Sequence, residues 1–134
     1  MPTKAVRYLL VPLLAFVVVQ AGCEMRSIVA EQVLRVRLEN LKSEIDAMIG
    51  EAECDGSDDC RYIAFGSKPC GGPWGYLVYS IAVTDSVALA EKVAEYNRAE
   101  DELNILLGLG SDCSIPSPPT VGCVQGRCVD LGSR

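Results

Sequence analysis

Seven cysteines and the absence of histidine limit the chemistry that this chain of 134 residues can support. Without an imidazole, Ser-His and Cys-His nucleophilic mechanisms are excluded, as are zinc sites that need a histidine ligand. Six of the cysteines form an even set, at Cys54, Cys60, Cys70, Cys113, Cys123 and Cys128. An even set predicts three disulfides, whose oxidised sulfurs neither attack substrates nor bind metals. The sequence does not choose among the pairings.

The remaining polar residues give no catalytic signature. Ser67 and Lys68 are adjacent, so in an extended chain their side chains point to opposite faces and the lysine does not activate the serine. No CxxC motif, P-loop or dinucleotide fingerprint is present. The carboxylates of Asp55, Asp58 and Asp59 could gather around calcium, but their spacing is not that of an EF-hand loop and favours a solvated turn. We therefore expect no enzymatic activity, no cofactor and no metal.

The stretch Cys60 to Ser80, CRYIAFGSKPCGGPWGYLVYS, predicts two strands joined by a rigid loop. Side chains alternate from Arg61 to Phe65, and the run from Tyr76 to Val83 is aromatic and β-branched, as in a partner strand. The loop between them holds two prolines, three glycines and a cysteine that can be tied to another segment.

Trp74, the only tryptophan, lies in this loop. Two interpretations are open. Its ring caps one end of the core, as large aromatic side chains usually do. Alternatively, Lys68, Trp74 and Tyr76 form an exposed binding patch on a disulfide-held loop.

The N-terminus predicts a secretory signal peptide over residues 1–22. Lys4 and Arg7 precede an apolar run, Tyr8 to Val19, that is too short to span a bilayer as a stable helix. Ala21-Gly22-Cys23 resembles the lipobox of bacterial lipoproteins, although Gln20 departs from its usual aliphatic residue. The resemblance implies a lipid on Cys23, which would also explain the odd cysteine count. Ordinary cleavage that leaves Cys23 unpaired is the alternative.

The lipoprotein resemblance also implies a location in the cell envelope. Glu24 follows the cysteine, where aspartate would retain a lipoprotein at the inner membrane, so we expect the outer membrane of a double-membraned host. Removing residues 1–22 leaves 10 basic and 18 acidic residues, a formal charge of −8. Such a surface is a poor partner for nucleic acid and for anionic headgroups. The acyl chains would therefore hold the protein to the membrane.

The expected architecture is a single disulfide-stapled α+β domain over residues 23–134. Apolar residues at helical spacing predict helices over residues 25–49 and 86–107, the second preceded by capping residues and followed by Gly108. Val121 to Val124 and Arg127 to Leu131 flank Gln125-Gly126 and predict a hairpin. We expect the two helices to pack on an antiparallel sheet of about four strands. A small disulfide core with two loosely attached hairpins is the alternative.

Three segments together, CDGSDDC, CGGPWGYLVYS and SDCSIPSPPTVGCVQGRC, resemble a group of small bacterial secreted proteins and lipoproteins that have six cysteines. The resemblance extends from about Gly50 to Val129. It implies that the six-cysteine framework is a family trait. It brings no catalytic residue, metal, cofactor or substrate to this chain.

Two functions follow from these features. The first is a cell-envelope lipoprotein that acts as a structural or protein-interaction module and docks on an envelope protein partner. The second is a secreted ligand-binding or inhibitor-like protein that presents the loop Lys68 to Tyr76, because a disulfide-held loop is preorganised for binding.

Overall fold

The computed structural model describes the backbone of residues 3–132 and the side chains of residues 26–132. The signal-peptide prediction and Cys23 therefore lie outside the residues whose side chains are described. The chain divides into two compact units, Met1–Val33 and Leu34–Arg134. The first is part of helix α1, Thr3–Ile49, whose C-terminal half is the helix predicted over 25–49. Within the described range, no helix has an apolar stretch long enough to cross a membrane.

The second unit confirms the disulfide-stapled α+β class. After α1 come strands β1 (Cys60–Phe65) and β2 (Gly75–Ser80), helix α2 (Ser86–Leu107), and strands β3 (Val121–Val124) and β4 (Arg127–Asp130). The four strands form two antiparallel hairpins, β1–β2 and β3–β4, rather than one sheet. The second edge of β4 is paired with residues 52–54 instead: the Cys54 N–H donates to the Gly126 carbonyl and the Cys128 N–H donates to the Ala52 carbonyl.

Local sequence signals place α2 and the second hairpin. Asp85 caps α2, because its carboxylate accepts hydrogen bonds from the backbone N–H groups of Val87 and Ala88 at 2.9 and 3.1 Å. Gly108 ends the helix in the left-handed conformation, with φ of 60°. Gln125 and Gly126 both have positive φ, 52° and 76°, as a tight hairpin turn between β3 and β4 requires.

The main core lies where α1 and α2 pack on the β1–β2 hairpin. Ile45, Leu89, Val93 and Tyr79 are buried together, and the Phe65 and Tyr96 rings stack at 4.4 Å between centroids. Apolar positions of the two helices supply Ile45, Leu89 and Val93 to this core, whereas Leu106 near the end of α2 is exposed. Fully burying a residue such as Leu89 stabilises the fold by about 1.5–3 kcal/mol.

A second buried cluster joins the two hairpins through disulfides. Cys54 pairs with Cys123 and Cys60 with Cys128, while Cys70 pairs with Cys113 away from this cluster. Cys123 and Cys128 face each other across the β3–β4 ladder, as the predicted turn requires, and each reaches inward to a different partner. The acidic turn has a structural role here: Asp59 Oδ2 accepts the N–H groups of Asp55 and Gly56 at 2.9 and 3.3 Å.

Candidate interaction surface

One face of α2 holds the start of the loop between β1 and β2 by hydrogen bonds. Asn97, Glu100 and Asn104 are three and four residues apart and so lie on one side of the helix. Asn97 Oδ1 accepts the N–H of Gly66 at 2.8 Å, and Glu100 accepts the N–H of Ser67. Asn104 Nδ2 donates to the Ser67 carbonyl at 2.7 Å. These side chains satisfy the backbone where the loop leaves β1.

Burial affects the ionisation of Glu100 at this position. Loss of hydration raises the pKa of the Glu100 carboxyl above its ordinary value of 4.5, and the hydrogen bond from the Ser67 N–H opposes the shift without cancelling it. The same loss of hydration raises the pKa of the neighbouring Tyr96 hydroxyl. The support of the loop therefore includes a carboxylate whose charge is disfavoured by its surroundings.

Lys68 ties the loop to the segment that follows α2. Its side chain is only 6% exposed, and its ammonium donates to three acceptors: Asp112 Oδ1 at 3.0 Å, the Ser114 carbonyl at 2.6 Å and Ser114 Oγ at 3.1 Å. An ammonium has three N–H donors, so all are used. Hydrogen bonds from Ser114 and then Lys68 lower the pKa of the Asp112 carboxyl from 3.8 to about 2.

Three further contacts hold the two segments together. The Cys70–Cys113 disulfide links them covalently. The Tyr76 hydroxyl donates to the Pro116 carbonyl at 3.1 Å. Gly72 lies against Ile115, whose side chain would be 3.5 Å from a Cβ at that glycine. We call the loop Ser67–Gly75 together with the segment Ser111–Pro116 the stapled surface.

Trp74 is presented at the stapled surface in a fixed position. Its backbone N–H donates to the Phe65 carbonyl at 3.0 Å, and the Lys68 ammonium lies 5.1 Å from the centroid of the indole ring. Gly66 has φ of +87°, and a Cβ there would be 2.5 Å from Trp74 Cδ1, so the ring needs a glycine at that position. The tryptophan is nonetheless 49% exposed. Half of a rigidly held indole is thus available to another molecule.

The structure brings the three residues of the predicted patch together but gives them different roles. Lys68 is buried, so the expectation that it is exposed needs correction: its ammonium is used up by acceptors of the same chain. Trp74 is 49% exposed and its ring lies beside Gly66 and the Lys68 ammonium, so neither interpretation holds in full. Tyr76 is half-buried and packs edge-on to Tyr62, with 5.4 Å between ring centroids.

Two parts of this surface were not predicted from the sequence. Ile115 is 69% exposed beside the loop, and its proximity depends on the Cys70–Cys113 pairing, which the sequence did not choose. The polar stripe of Asn97, Glu100 and Asn104 had a signal, since two asparagines at helical spacing are unusual in an otherwise charged and apolar helix.

Two ion pairs cross the charged groove between α1 and α2. Arg37 contacts Glu95 at 3.1 Å, and Lys92 contacts Glu44 at 2.7 Å. The hydrogen bond from Arg37 lowers the pKa of the Glu95 carboxyl, and that to Glu44 raises the pKa of the Lys92 ammonium. These exposed pairs connect two helices and do not resemble a binding site for a charged ligand.

Comparison with protein-family models, curated proteins and solved structures finds no match to this chain. The resemblance to small six-cysteine bacterial proteins therefore stays a prediction. The candidate surface must be judged from its own geometry.

Proposed function

We propose that this protein is a non-enzymatic lipoprotein of the cell envelope that works as a protein-interaction module, with the stapled surface as its contact. The observation that carries the proposal is Trp74, which is half-exposed on a loop that is held by hydrogen bonds of Gly66, Ser67 and Lys68 to other parts of the chain. Tryptophan is among the residues that most often dominate binding energy at protein interfaces. The interaction needs no catalytic group and no cofactor.

Rigidity favours binding because association then orders fewer groups. A flexible loop loses conformational freedom when it docks, at about 0.5–1.5 kcal/mol for each immobilised side chain. Here the loop is already ordered by a disulfide, by the bonds of Lys68 and by three side chains of α2. Most of the contact energy of Trp74 is therefore available for affinity.

The partner that fits is a protein with an apolar pocket. Trp74 and Ile115 provide two exposed apolar side chains, and the lysine beside them is internally neutralised by Asp112. Nucleic acid does not fit, because the residues after position 22 carry a formal charge of −8, from 10 basic and 18 acidic residues. An envelope protein is the class that agrees with the proposed location.

Membrane attachment is proposed through a lipid on Cys23. The six other cysteines are all in disulfides, which leaves Cys23 as the odd one. The test is the intact mass of protein purified from membranes, before and after alkylation without reductant. A diacylglyceryl mass on Cys23 with no alkylated thiol is expected. Cleavage without lipid would refute the anchor.

A secreted binder or inhibitor is the second candidate, and the preorganised loop favours it equally, since a rigid loop suits insertion into a cleft. Purification from detergent separates the two. The module is expected to bring a stoichiometric membrane partner, whereas the secreted binder would purify alone and partition with the aqueous phase.

A further inference from the structure

We propose that Cys54, Cys60, Cys123 and Cys128 form a tetrathiolate Zn²⁺ site when a dithiol has reduced their two disulfides. The Sγ atoms of Cys54, Cys60 and Cys128 lie within 4.8 Å of one another. The fourth sulfur, that of Cys123, is bonded to Cys54. The two disulfides thus lie side by side, with three of their four sulfurs within 4.8 Å of one another. This site is separate from the stapled surface.

The spacing of the sulfurs suits zinc. A Zn–S bond is about 2.3 Å, so the sulfurs of a tetrahedral site are about 3.8 Å apart. The Cys60 and Cys128 sulfurs, bonded at 1.98 Å, move apart on reduction, and the Cys54 sulfur lies within 4.8 Å of both, at most about 1 Å beyond that separation. The Cα atoms of the two bonded pairs are 6.1 and 5.3 Å apart, so the side chains can turn around a central ion by rotamer changes.

The backbone around the cluster is held by hydrogen bonds that do not depend on the disulfides. The N–H of Cys54 donates to the Gly126 carbonyl at 3.0 Å, and that of Cys128 donates to Ala52 at 2.9 Å. The N–H of Cys123 donates to Ser57 Oγ at 3.1 Å. Cys123 and Cys128 are also direct partners across the β3–β4 ladder. Reduction therefore leaves the four cysteines close together.

The surroundings also favour a thiolate site. Cys54, Cys60 and Cys128 are 9%, 2% and 7% exposed, among apolar neighbours that include Val78 and Val121. Sulfur is the soft donor that zinc accepts in closed structural sites, where four cysteines suffice and no histidine is needed. Four cysteine ligands, of which three are buried and Cys123 is half-buried, leave no open position and predict a structural rather than a catalytic ion.

The chemical steps balance without a further reactant. Each disulfide takes two electrons and two protons from one dithiol, which becomes a cyclic disulfide, and two thiols are formed. Zn²⁺ then displaces the protons of the four thiols, and the complex carries a charge of −2. Because protons are released, affinity rises with pH. The Cys70–Cys113 disulfide contributes no sulfur to the cluster.

The experiment uses the full chain with Cys23→Ser, which removes the seventh thiol. A water-soluble phosphine reduces all disulfides, since each takes up one phosphine and one water to give two thiols and a phosphine oxide. Zn²⁺ is then added and the thiols are alkylated and mapped. One zinc per chain is expected, with only Cys70 and Cys113 alkylated. Alkylation of all six thiols at saturating zinc would overturn the proposal, as would protection of a different set.

Paired variants locate the ion. Cys70→Ser with Cys113→Ser keeps the four sulfurs and is expected to bind one Zn²⁺ with unchanged affinity. Cys54→Ser with Cys123→Ser removes two zinc ligands. Loss of a residue that only hydrogen-bonds to a ligand lowers metal affinity roughly 10–100-fold, so loss of two ligands should lower the Zn²⁺ affinity by more than that. Co²⁺ in the reduced chain should show the visible bands of a tetrahedral thiolate site. Equal affinity in both variants, or octahedral Co²⁺ spectra, would refute the site.

Discussion

Replacing Lys68 by methionine tests whether the buried ammonium holds the stapled surface together. Methionine keeps a long apolar stem and loses three hydrogen bonds, to Asp112 Oδ1 and to two oxygens of Ser114. A hydrogen bond to a charged group contributes about 1.5–3 kcal/mol, and burial of an ammonium costs several kcal/mol. The acceptors left behind belong to exposed residues and regain water. The expected net loss is therefore about 1–3 kcal/mol, below the 3–5 of a fully buried pair.

The assay is urea unfolding of the oxidised protein, with Lys42→Met as the matched control. Lys42 pairs with Asp46 one helical turn away at 2.6 Å, and its side chain is 39% exposed, so its loss should cost only about 0.3–0.5 kcal/mol. Lys68→Ala also removes the buried stem, at about 0.8 kcal/mol per CH₂, and should be less stable than the methionine variant. If Lys68→Met unfolds at the wild-type midpoint or above it, the ammonium does not stabilise the loop.

Three other predictions concern the stapled surface and the residues that hold it in place. Cys70→Ser with Cys113→Ser opens a loop with a sequence separation of 43 and should cost about 4 kcal/mol in thermal unfolding, and a wild-type Tm would contradict this. The pKa of Glu100 is raised above 4.5 in the folded protein, so folding favours the protonated carboxyl. The stability that this contributes is fully present below pH 4.5 and is lost as the pH rises through the raised pKa. Glu100→Gln should flatten this pH dependence in urea midpoints, and an unchanged slope would rule the carboxyl out as its source. Gly66→Ala places a Cβ 2.5 Å from Trp74 at a φ of +87°, so it should cost more than about 1 kcal/mol and shift tryptophan fluorescence, whereas native fluorescence with full stability would refute the close approach.

The sequence was sufficient for features that local chemistry specifies. The bounds of α2 follow from its apolar spacing, from the cap at Asp85 and from Gly108. The β3–β4 hairpin follows from Gln125-Gly126, which accepts the positive φ angles of a tight turn. Each of these elements is determined by residues that are close together in the chain.

Features that depend on distant residues could not be predicted. One of the two interpretations placed Lys68 on an exposed binding patch, but Asp112 and Ser114 reach it from 44 and 46 residues away and bury it. One sheet was expected where there are two, and the pairing of β4 with residues 52–54 was not predicted, because those residues have no alternating apolar pattern. Disulfide connectivity has the same limit, since opposed cysteines in a hairpin can bond to each other or to a third segment.

The most direct test of the proposed contact through Trp74 is partner binding by Trp74→Ala in detergent-solubilised envelopes. Val87→Ala is the matched control, because Val87 is also exposed, at 70%, but lies on the first turn of α2. Circular dichroism first verifies that both variants are folded. We expect a stoichiometric partner to co-purify with the wild type and with Val87→Ala and to be lost from Trp74→Ala. Undiminished recovery of that partner with folded Trp74→Ala would contradict the role of the stapled surface.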